Sequence, residues 1–155
     1  MKLELREFRR EFYPEYSSWF SDPELNRRLG PMDDAWLEAV TTMPRSAGVT
    51  WAVFRDTSLV AVVETMFDPE GHRPTAITAV AVKPALRRQG IGMAALEKVL
   101  LIDRSQGMKD HIAFVSHRNE AAQSLLKKAG FVKSSDIPDE HDLFEFRHSN
   151  QQPTA

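Results

Sequence analysis

A short run of arginines, a glutamine and two glycines in the second half of the chain has the composition of a phosphate site. The run Arg87-Arg88-Gln89-Gly90-Ile91-Gly92 lies between a strand predicted to end at Val82 and an amphipathic helix. Glycines let backbone amides converge, a helix start adds partial positive charge, and the arginines add two full charges. The sequence therefore predicts an anion site that fits a diphosphate, with Gly92 leaving room for the diphosphate to approach the backbone.

Two other phosphate sites fit this run less well. Gly90 to Ala95 matches a relaxed dinucleotide fingerprint, but that fingerprint directly follows the first strand of a βαβ unit and needs an acidic residue after the next strand. Here a meander precedes the run, and the next strand ends in Ser116-His117 without a carboxylate. A kinase-type phosphate loop needs a lysine and a Ser/Thr after the glycines, and this run has neither. A plain strand-to-helix turn with solvated arginines is the remaining alternative.

Two titratable residues are candidates for proton transfer. Glu64 interrupts the apolar strand from Leu59 to Phe67, and a carboxylate there is more readily explained in a cleft than in a core. The alternative is a glutamate on the solvent side of a sheet. His117 follows a buried strand and would face the cleft or lie in a surface turn. The five histidines show no spacing that favours metal ligation, so we expect no metal.

A mixed α/β fold is needed to bring these residues together. An edge strand is expected near the start, and proline and aspartate signals then mark three short helices. Asp22 can cap the second of these helices, and Asp33 or Asp34 can cap the third. The later predicted elements are, in order, a hairpin over 51–67, a strand over 75–82, a helix from 91 to 106, a strand over 111–116, a helix from 119 to 129 and a strand over 143–146.

Length and composition predict one domain. The 155 residues, 42% of them hydrophobic, suffice for one core over residues 1–148, followed by a frayed tail over 149–155. The formal charge of −2 gives no basic surface for nucleic acid or a membrane. The absence of cysteine excludes disulfides and thiolate chemistry, and no apolar run suggests a signal peptide or a span of ~20 residues. We therefore expect a cytoplasmic protein.

The sequence resembles the GNAT N-acetyltransferases, whose coenzyme A loop reads Arg/Gln-x-x-Gly-x-Gly/Ala. Arg87, Gly90 and Gly92 fill that pattern, and the later helix ends in Gly130-Phe131, like the Gly-Phe of the family. The resemblance covers residues 50–131 and extends more loosely toward the start. It implies a GNAT-like acyl-CoA acyltransferase fold, with a mixed, mostly antiparallel central sheet flanked by helices. In such a fold we expect the sheet to open where the strand at 76–82 parts from the one at 111–116.

The resemblance implies an N-acetyltransferase that uses acetyl-CoA and acts on the amine of a small molecule or peptide. Transfer would be direct, without a covalent enzyme intermediate. Asn119, which could equally be a plain helix cap, would lie near the far end of the pantetheine arm. The other implied cofactor contacts are the backbone of Val80, Ala81 and Val82, and the residues Arg87, Arg88, Gln89, Gly90, Ile91, Gly92 and Met93. The sequence leaves open whether the protein is a homodimer.

The chain departs from the family at Leu126, where many members carry a tyrosine that protonates the leaving thiolate. Water, Ser124 or another tyrosine could replace it, or a thiolate of pKa ~8.5 could leave unaided. The family's frequent glutamate falls at or beside Ala76, which is not acidic, so Glu64 is the first candidate for the base and His117 the second. The missing tyrosine also leaves open a non-catalytic GNAT-like module that binds an acyl-CoA or a partner.

Overall fold

The computed structural model describes residues 1–149, which form a seven-stranded sheet with helices on both faces. The strands are β1 (Glu4–Glu7), β2 (Gly48–Arg55), β3 (Ser58–Met66), β4 (Thr75–Val82), β5 (Asp110–Ser116), β6 (Val132–Lys133) and β7 (Leu143–Ser149). The helices are α1 (Tyr13–Ser18), α2 (Pro23–Leu29), α3 (Asp34–Thr42), α4 (Ile91–Ser105) and α5 (Glu120–Lys128). The rest of the predicted tail, residues 150–155, lies outside the described residues.

The sheet order is β1-β2-β3-β4-β5-β7-β6. Each described pair of neighbouring strands is antiparallel except β4 and β5, which are parallel and are joined through α4. A parallel pair needs such a crossover connection, because the chain must return to the same end of the sheet. The predicted mixed, mostly antiparallel sheet flanked by helices is confirmed.

Aspartate caps begin two of the helices, as the sequence predicts. The side chain of Asp22 accepts a hydrogen bond from the Leu25 amide at 2.9 Å, and that of Asp33 accepts one from the Trp36 amide at 3.0 Å. Each carboxylate satisfies an amide that has no acceptor within the first turn of its helix. Because this hydrogen bond holds the Trp36 amide, the cap at Asp33 also fixes the backbone of Trp36 in the first turn of α3.

The two faces of the sheet are buried against different helices. On one face Val63 belongs to a core that includes residues of α4 and α5, and on the other its neighbour Val62 packs with residues of α1, α2 and α3. Successive side chains of a strand point to opposite faces, so β3 supplies both cores. The strand is thus buried on both sides, which matches its nearly continuous apolar sequence.

A β-bulge bends β4 near its middle. Glu64 pairs with Ala79 and Thr65 pairs with Ile77, so Thr78 is an extra residue on β4. Its hydroxyl donates to the backbone oxygen of Glu64 at 3.3 Å. Bulges bend a strand and increase its twist. The bulge therefore lies where β4 begins to turn away from β5.

Two features of the last third differ from the sequence prediction. The strand β6, Val132–Lys133, was not predicted, because two residues are too few to show an alternating pattern. β7 continues to Ser149, beyond the predicted end at Phe146, through a polar segment that pairs with β5. Ser149, which the prediction assigned to the tail, is therefore part of the sheet.

Candidate active site

The sheet is split between β4 and β5. Only Thr75 and Ala76 of β4 pair with β5, opposite His111 and Ile112, and from Ile77 onward the two strands have no ladder. The gap opens toward the carboxyl ends of the strands, where the sequence analysis placed it. Buried backbone groups need hydrogen-bond partners, so the unpaired N–H and C=O groups along this gap could form hydrogen bonds with a ligand.

The backbone of β4 presents alternate residues to this gap. The Lys83 amide donates to the Val60 oxygen on β3 at 3.0 Å. Because alternate residues of an antiparallel strand direct their backbone groups to the same side, Ala81 also faces β3. The amides and carbonyls of Val80 and Val82 therefore point away from β3 and into the gap. Of the three residues 80–82 that were predicted to contact the cofactor, only Val80 and Val82 therefore direct their backbone groups into the gap.

The start of α4 faces the open end of the gap. Gly90 has φ +77°, in the left-handed region, and its carbonyl accepts the first helical hydrogen bond, from Ala94, at 3.1 Å. The amides of Ile91, Gly92 and Met93 have no intrahelical acceptor, and they share the positive end of the helix dipole. The predicted anion site thus has three amides directed out of a helix of 15 residues.

The two arginines of the loop have different surroundings. Arg87 forms a two-pronged ion pair with Asp22, with nitrogen–oxygen distances of 2.6 and 3.2 Å. The carboxylate raises the pKa of Arg87, and the guanidinium lowers that of Asp22. Arg88 is exposed, has φ +64°, and forms no ion pair with any of residues 1–149. Arg88 is therefore the loop cation that an anion could meet without displacing a carboxylate; Gln89 beside it is exposed too.

The absence of a side chain at Gly92 allows close packing of the helix, which the sequence analysis did not predict. A Cβ at this position would lie 2.8 Å from Cδ1 of Leu125 and 3.3 Å from Cγ2 of Val82. The missing side chain thus lets α4 approach α5 and β4, whereas the expected reason was space for a diphosphate. Packing is therefore a second reason for a glycine here, in addition to the expected one, and the Gly92 amide stays available at the helix start.

Glu64 lies on the face of β3 that is covered by α1, α2 and α3. Its Oε1 accepts a hydrogen bond from the Trp36 indole at 3.3 Å. Burial raises the pKa of Glu64, and the hydrogen bond from Trp36 opposes that rise only in part. Glu64 is half-buried, so the alternative of a fully solvated carboxylate is excluded. A carboxyl group with a raised pKa in a partly open site is suited to proton transfer.

His117 and Asn119 lie together after β5. His117 is half-buried, and its Nδ1 lies 3.2 Å from the Asp142 carbonyl, so a proton on Nδ1 would leave Nε2 free. The side-chain oxygen of Asn119 caps α5 by accepting from the Ala122 amide at 3.2 Å. The structure shows no hydrogen bond or ion pair between His117 and Glu64 within residues 1–149. The two candidate bases do not act as a hydrogen-bonded pair.

The position that lacks the expected tyrosine is part of the core. Leu126 is 3% exposed and packs in the cluster beneath α4 and α5. Ser124 lies on the exposed side of α5. Both tyrosines of the chain, Tyr13 and Tyr16, lie in α1 beside Trp36. Within the described residues, α5 therefore presents no hydroxyl group at position 126, where the resemblance leads one to expect a tyrosine.

The contact between Trp36 and Glu64 and the bulge at Thr78 were not predicted. Nothing local in the sequence connects positions 36 and 64. Within residues 1–149, no group of three or more His, Asp or Glu side chains is placed to hold a metal ion. No helix in the same part of the chain has the length and apolar composition that crossing a membrane requires.

A family model described as the acetyltransferase (GNAT) family matches residues 4–131. No match was found among curated proteins. The matched segment contains the β4–α4 loop, the gap and Glu64, and it ends at the Gly130-Phe131 pair that follows α5.

Several solved structures share the fold. The spermidine N-acetyltransferase from Vibrio cholerae, in complex with CoA and spermine, has a TM-score of 0.81 and 16% identity over 96% of this chain and 95% of that chain. The ribosomal-protein-S18-alanine N-acetyltransferase from Escherichia coli has a TM-score of 0.72 and 15% identity over 99% of this chain and 97% of that one. The PaiA N-acetyltransferase from Thermoplasma acidophilum, in complex with coenzyme A, has a TM-score of 0.71 and 15% identity over 96% of this chain and 99% of that chain.

Proposed function

The chain belongs to the acetyltransferase (GNAT) family, and from that premise we propose that it transfers the acetyl group of acetyl-CoA to a primary amine. One observation carries the proposal. The unpaired backbone of β4 and the free amides of α4 lie at the same end of the same gap, as a diphosphate on an extended arm would require. Transfer is direct, because the chain has no cysteine and the site needs no covalent intermediate.

The cofactor contacts follow from these free groups. The amides of Ile91, Gly92 and Met93 bind the pyrophosphate, and Arg88 adds charge from the loop. The backbone of Val80 and Val82 pairs with the amide groups of the pantetheine arm, as it would with an added strand. Asn119 caps α5 through its oxygen, and its side-chain nitrogen remains a donor at the edge of the gap.

The proton balance assigns a role to Glu64. An amine acceptor of pKa ~8 to ~10 is mostly protonated at neutral pH, so one proton must leave before the nitrogen can attack. Glu64 accepts that proton, directly or through water, and a raised pKa makes it a stronger base once ionised. The nitrogen then forms the amide bond while the carbon–sulfur bond breaks, and its second proton ends on the coenzyme A sulfur.

His117 is the second candidate for the base. Its free Nε2 would accept a proton if the acceptor lay nearer to the end of β5 than to β3. The pH dependence of the two variants separates these roles. In Glu64→Gln we expect turnover to fall at neutral pH and to recover partly at higher pH, where the amine is already neutral. A parental profile in Glu64→Gln together with a collapsed one in His117→Ala would assign the base to the histidine.

The test of the activity is release of free coenzyme A thiol from acetyl-CoA with a panel of amines. The panel includes spermidine, spermine and a peptide with an N-terminal alanine, because solved neighbours are named for such acceptors. Amine-dependent release at a rate well above hydrolysis is the expected result. Acetyl-CoA that raises the melting temperature without any thiol release would contradict it.

A non-catalytic module that binds an acyl-CoA or a partner is the alternative function. Leu126 favours it, because a buried leucine supplies no proton at the position where many relatives carry a tyrosine. The same panel decides between the two functions. Stabilisation by acetyl-CoA with no turnover for any amine is the result that this alternative predicts.

A further inference from the structure

We propose that Trp36 is a positioning residue for proton transfer at Glu64, with its indole N–H holding Oε1 and leaving Oε2 to receive the proton. The chemical meaning of this inference depends on the proposed function. The contact itself depends only on the geometry, in which Nε1 of Trp36 lies 3.3 Å from Oε1 of Glu64. An indole N–H can donate but cannot accept, so it favours the ionised carboxylate.

The indole ring is held in place by three other aromatic rings. Trp36 meets Phe8 edge-on at 5.1 Å, is tilted against Tyr16 at 5.2 Å and stacks on Tyr13 at 6.3 Å. Such ring pairs contribute packing and fix orientation. The backbone of Trp36 is also fixed, because its amide donates to the capping carboxylate of Asp33. The N–H is therefore directed at Glu64 by the fold and needs no induced movement.

The strands on either side of Glu64 bring no charge to it. Its register partners are Thr50 on β2 and Ala79 on β4, both uncharged. The other titratable group coupled to it is Tyr16 of α1, whose buried hydroxyl has no hydrogen-bond partner within residues 1–149. Burial and then the Glu64 charge raise the pKa of Tyr16, so the phenol stays protonated. Tyr16 therefore does not compensate the Glu64 charge.

The helix α3 carries negative charge on the outer side of this aromatic cluster. After burial, the charges of Asp34 and Asp33 raise the pKa of Tyr13. These two charges do not contribute to the pKa shift of Glu64, which is set by burial and by the hydrogen bond from Trp36. Among the described residues, the group that lowers the pKa of Glu64 is Trp36, and no cation contributes. Loss of the indole N–H should therefore raise the pKa of Glu64 further.

A second indole–carboxylate contact in the same helical layer provides a matched control. Nε1 of Trp19 donates to Oε1 of Glu15 at 3.1 Å, and Lys83 pairs with the same carboxylate oxygen at 2.9 Å. Hydrogen bonds from Trp19 and Lys83 lower the pKa of Glu15, which is exposed. The third indole, of Trp51, is buried without a hydrogen bond within residues 1–149. The three indole groups thus differ in their acceptors.

The first experiment needs no turnover. The ¹⁵N–¹H signals of the three indoles are followed against pH in the parent, in Glu64→Gln and in Glu15→Gln. We expect the Trp36 signal to titrate with a midpoint above 4.5, the ordinary value for glutamate, and to lose that titration only in Glu64→Gln. The Trp19 signal should respond only to Glu15→Gln, and the Trp51 signal to neither. A Trp36 signal that ignores Glu64→Gln overturns the proposal, whether or not the protein acetylates an amine.

The second experiment measures kcat/KM against pH in the parent, Trp36→Phe and Trp19→Phe. Phenylalanine keeps a ring in the cluster and removes the N–H. We expect the acidic limb of Trp36→Phe to move up by about one pH unit and its high-pH plateau to stay near the parental value. The limb of Trp19→Phe should stay in place. A uniformly lowered rate with an unmoved limb in Trp36→Phe would show a purely structural role. If the parent shows no turnover while the indole titration succeeds, the proposed function fails and the positioning contact stands.

Discussion

The gap between β4 and β5 is closed at one end and open at the other, and α4 contributes to both ends. At the closed end Asp103, near the end of α4, pairs with His111 of β5 at 2.7 Å, and both side chains are essentially inaccessible. At the open end the amides that begin α4 and the backbone of Val80 and Val82 have no partner within residues 1–149. At the closed end the Asp103 carboxylate pairs with Nε2 of His111, while Nδ1 of His111 and Nδ1 of His148 are buried without a hydrogen-bond partner within residues 1–149. At the open end the backbone groups of two elements are free to bind a ligand.

Under the proposed function, this difference separates residues that stabilise the fold from residues that would bind coenzyme A. Two ring contacts of His148 extend the closed end: its ring lies 5.0 Å from that of Phe131 and 6.3 Å from that of His111. Changes there should alter stability and leave cofactor affinity intact in the folded fraction. Changes at the open end should alter cofactor affinity, whether or not they also alter stability.

The largest effect is expected at the closed end. Asp103→Ala leaves His111 buried without its partner, so we expect the free energy of unfolding to fall by about 3–5 kcal/mol. The matched control is Asp110→Ala, an exposed aspartate on β5, which should change it by no more than about 0.5 kcal/mol. Denaturant unfolding gives both values. Equal losses in the two variants would mean that the buried pair does not close this end.

Two glycines at opposite ends of α4 allow the effect of a substitution on coenzyme A binding to be separated from its effect on backbone strain. Gly90 and Gly107 have φ of +77° and +86°, and a Cβ on either would meet nothing within 4 Å. Alanine at each position should therefore cost a similar ~1–2 kcal/mol of stability. Only Gly90→Ala should weaken binding of coenzyme A, because only Gly90 orients the free amides. Calorimetric titration that shows equal weakening in both variants would place the phosphate site elsewhere.

The two loop arginines should differ in their effect on cofactor binding. Arg88→Ala should weaken coenzyme A binding about tenfold and flatten its salt dependence, because it removes a charge that no carboxylate within residues 1–149 neutralises. Arg87→Ala should have a smaller effect, mediated by the lost contact to Asp22, and the double variant Asp22→Ala/Arg87→Ala should show coupling. A larger loss from Arg87→Ala than from Arg88→Ala would mean that the ion pair opens to bind phosphate.

Glu64→Gln should stabilise the folded protein at neutral pH. Burial raises the folded-state pKa of Glu64, so this group favours folding below its unfolded pKa and opposes folding as the pH rises through the raised value. Glutamine does not ionise, so it removes the free-energy cost of an ionised side chain at this half-buried position. We expect a higher melting temperature than the parent at pH 7 and a difference that shrinks toward pH 4.5, the ordinary glutamate pKa. A variant that is less stable than the parent at pH 7 would show that Glu64 is needed for packing.

The smallest effect is expected from His148, at the closed end. Burial lowers its pKa, with further contributions from His111 and Arg104. The unfolded chain then binds a proton more readily than the folded one, so this contribution to stability is present above pH 6.5 and is lost as the pH falls. His148→Gln should make the stability curve flatter below pH 6.5. An unchanged slope would mean that His148 titrates alike in both states.

The parts of this comparison that depend on local sequence could be predicted. The caps at Asp22 and Asp33, the glycine at the start of α4 and the strand at 75–82 each follow from a few adjacent residues. The split in the sheet followed from the resemblance to a family, and the ladder that stops after Ala76 confirms it.

The parts that depend on distant residues could not be predicted. Arg87 and Asp22 are 65 positions apart, and Trp36 and Glu64 are 28 apart, so neither contact leaves a local pattern. For Gly92 the local pattern identified the glycine, but only the packing of α4 on Leu125 decides which way a Cβ would point. Long-range packing thus determines which residues of a correctly predicted loop are free to meet a ligand.

Amide chemical-shift mapping with coenzyme A tests most directly that the open end binds the cofactor. We expect the largest ¹⁵N–¹H shifts at Val80 and Val82 and at the residues from Arg88 to Met93, with little change at Asp103 or His111. Shifts concentrated at the closed end, or on a surface away from α4, would contradict this account.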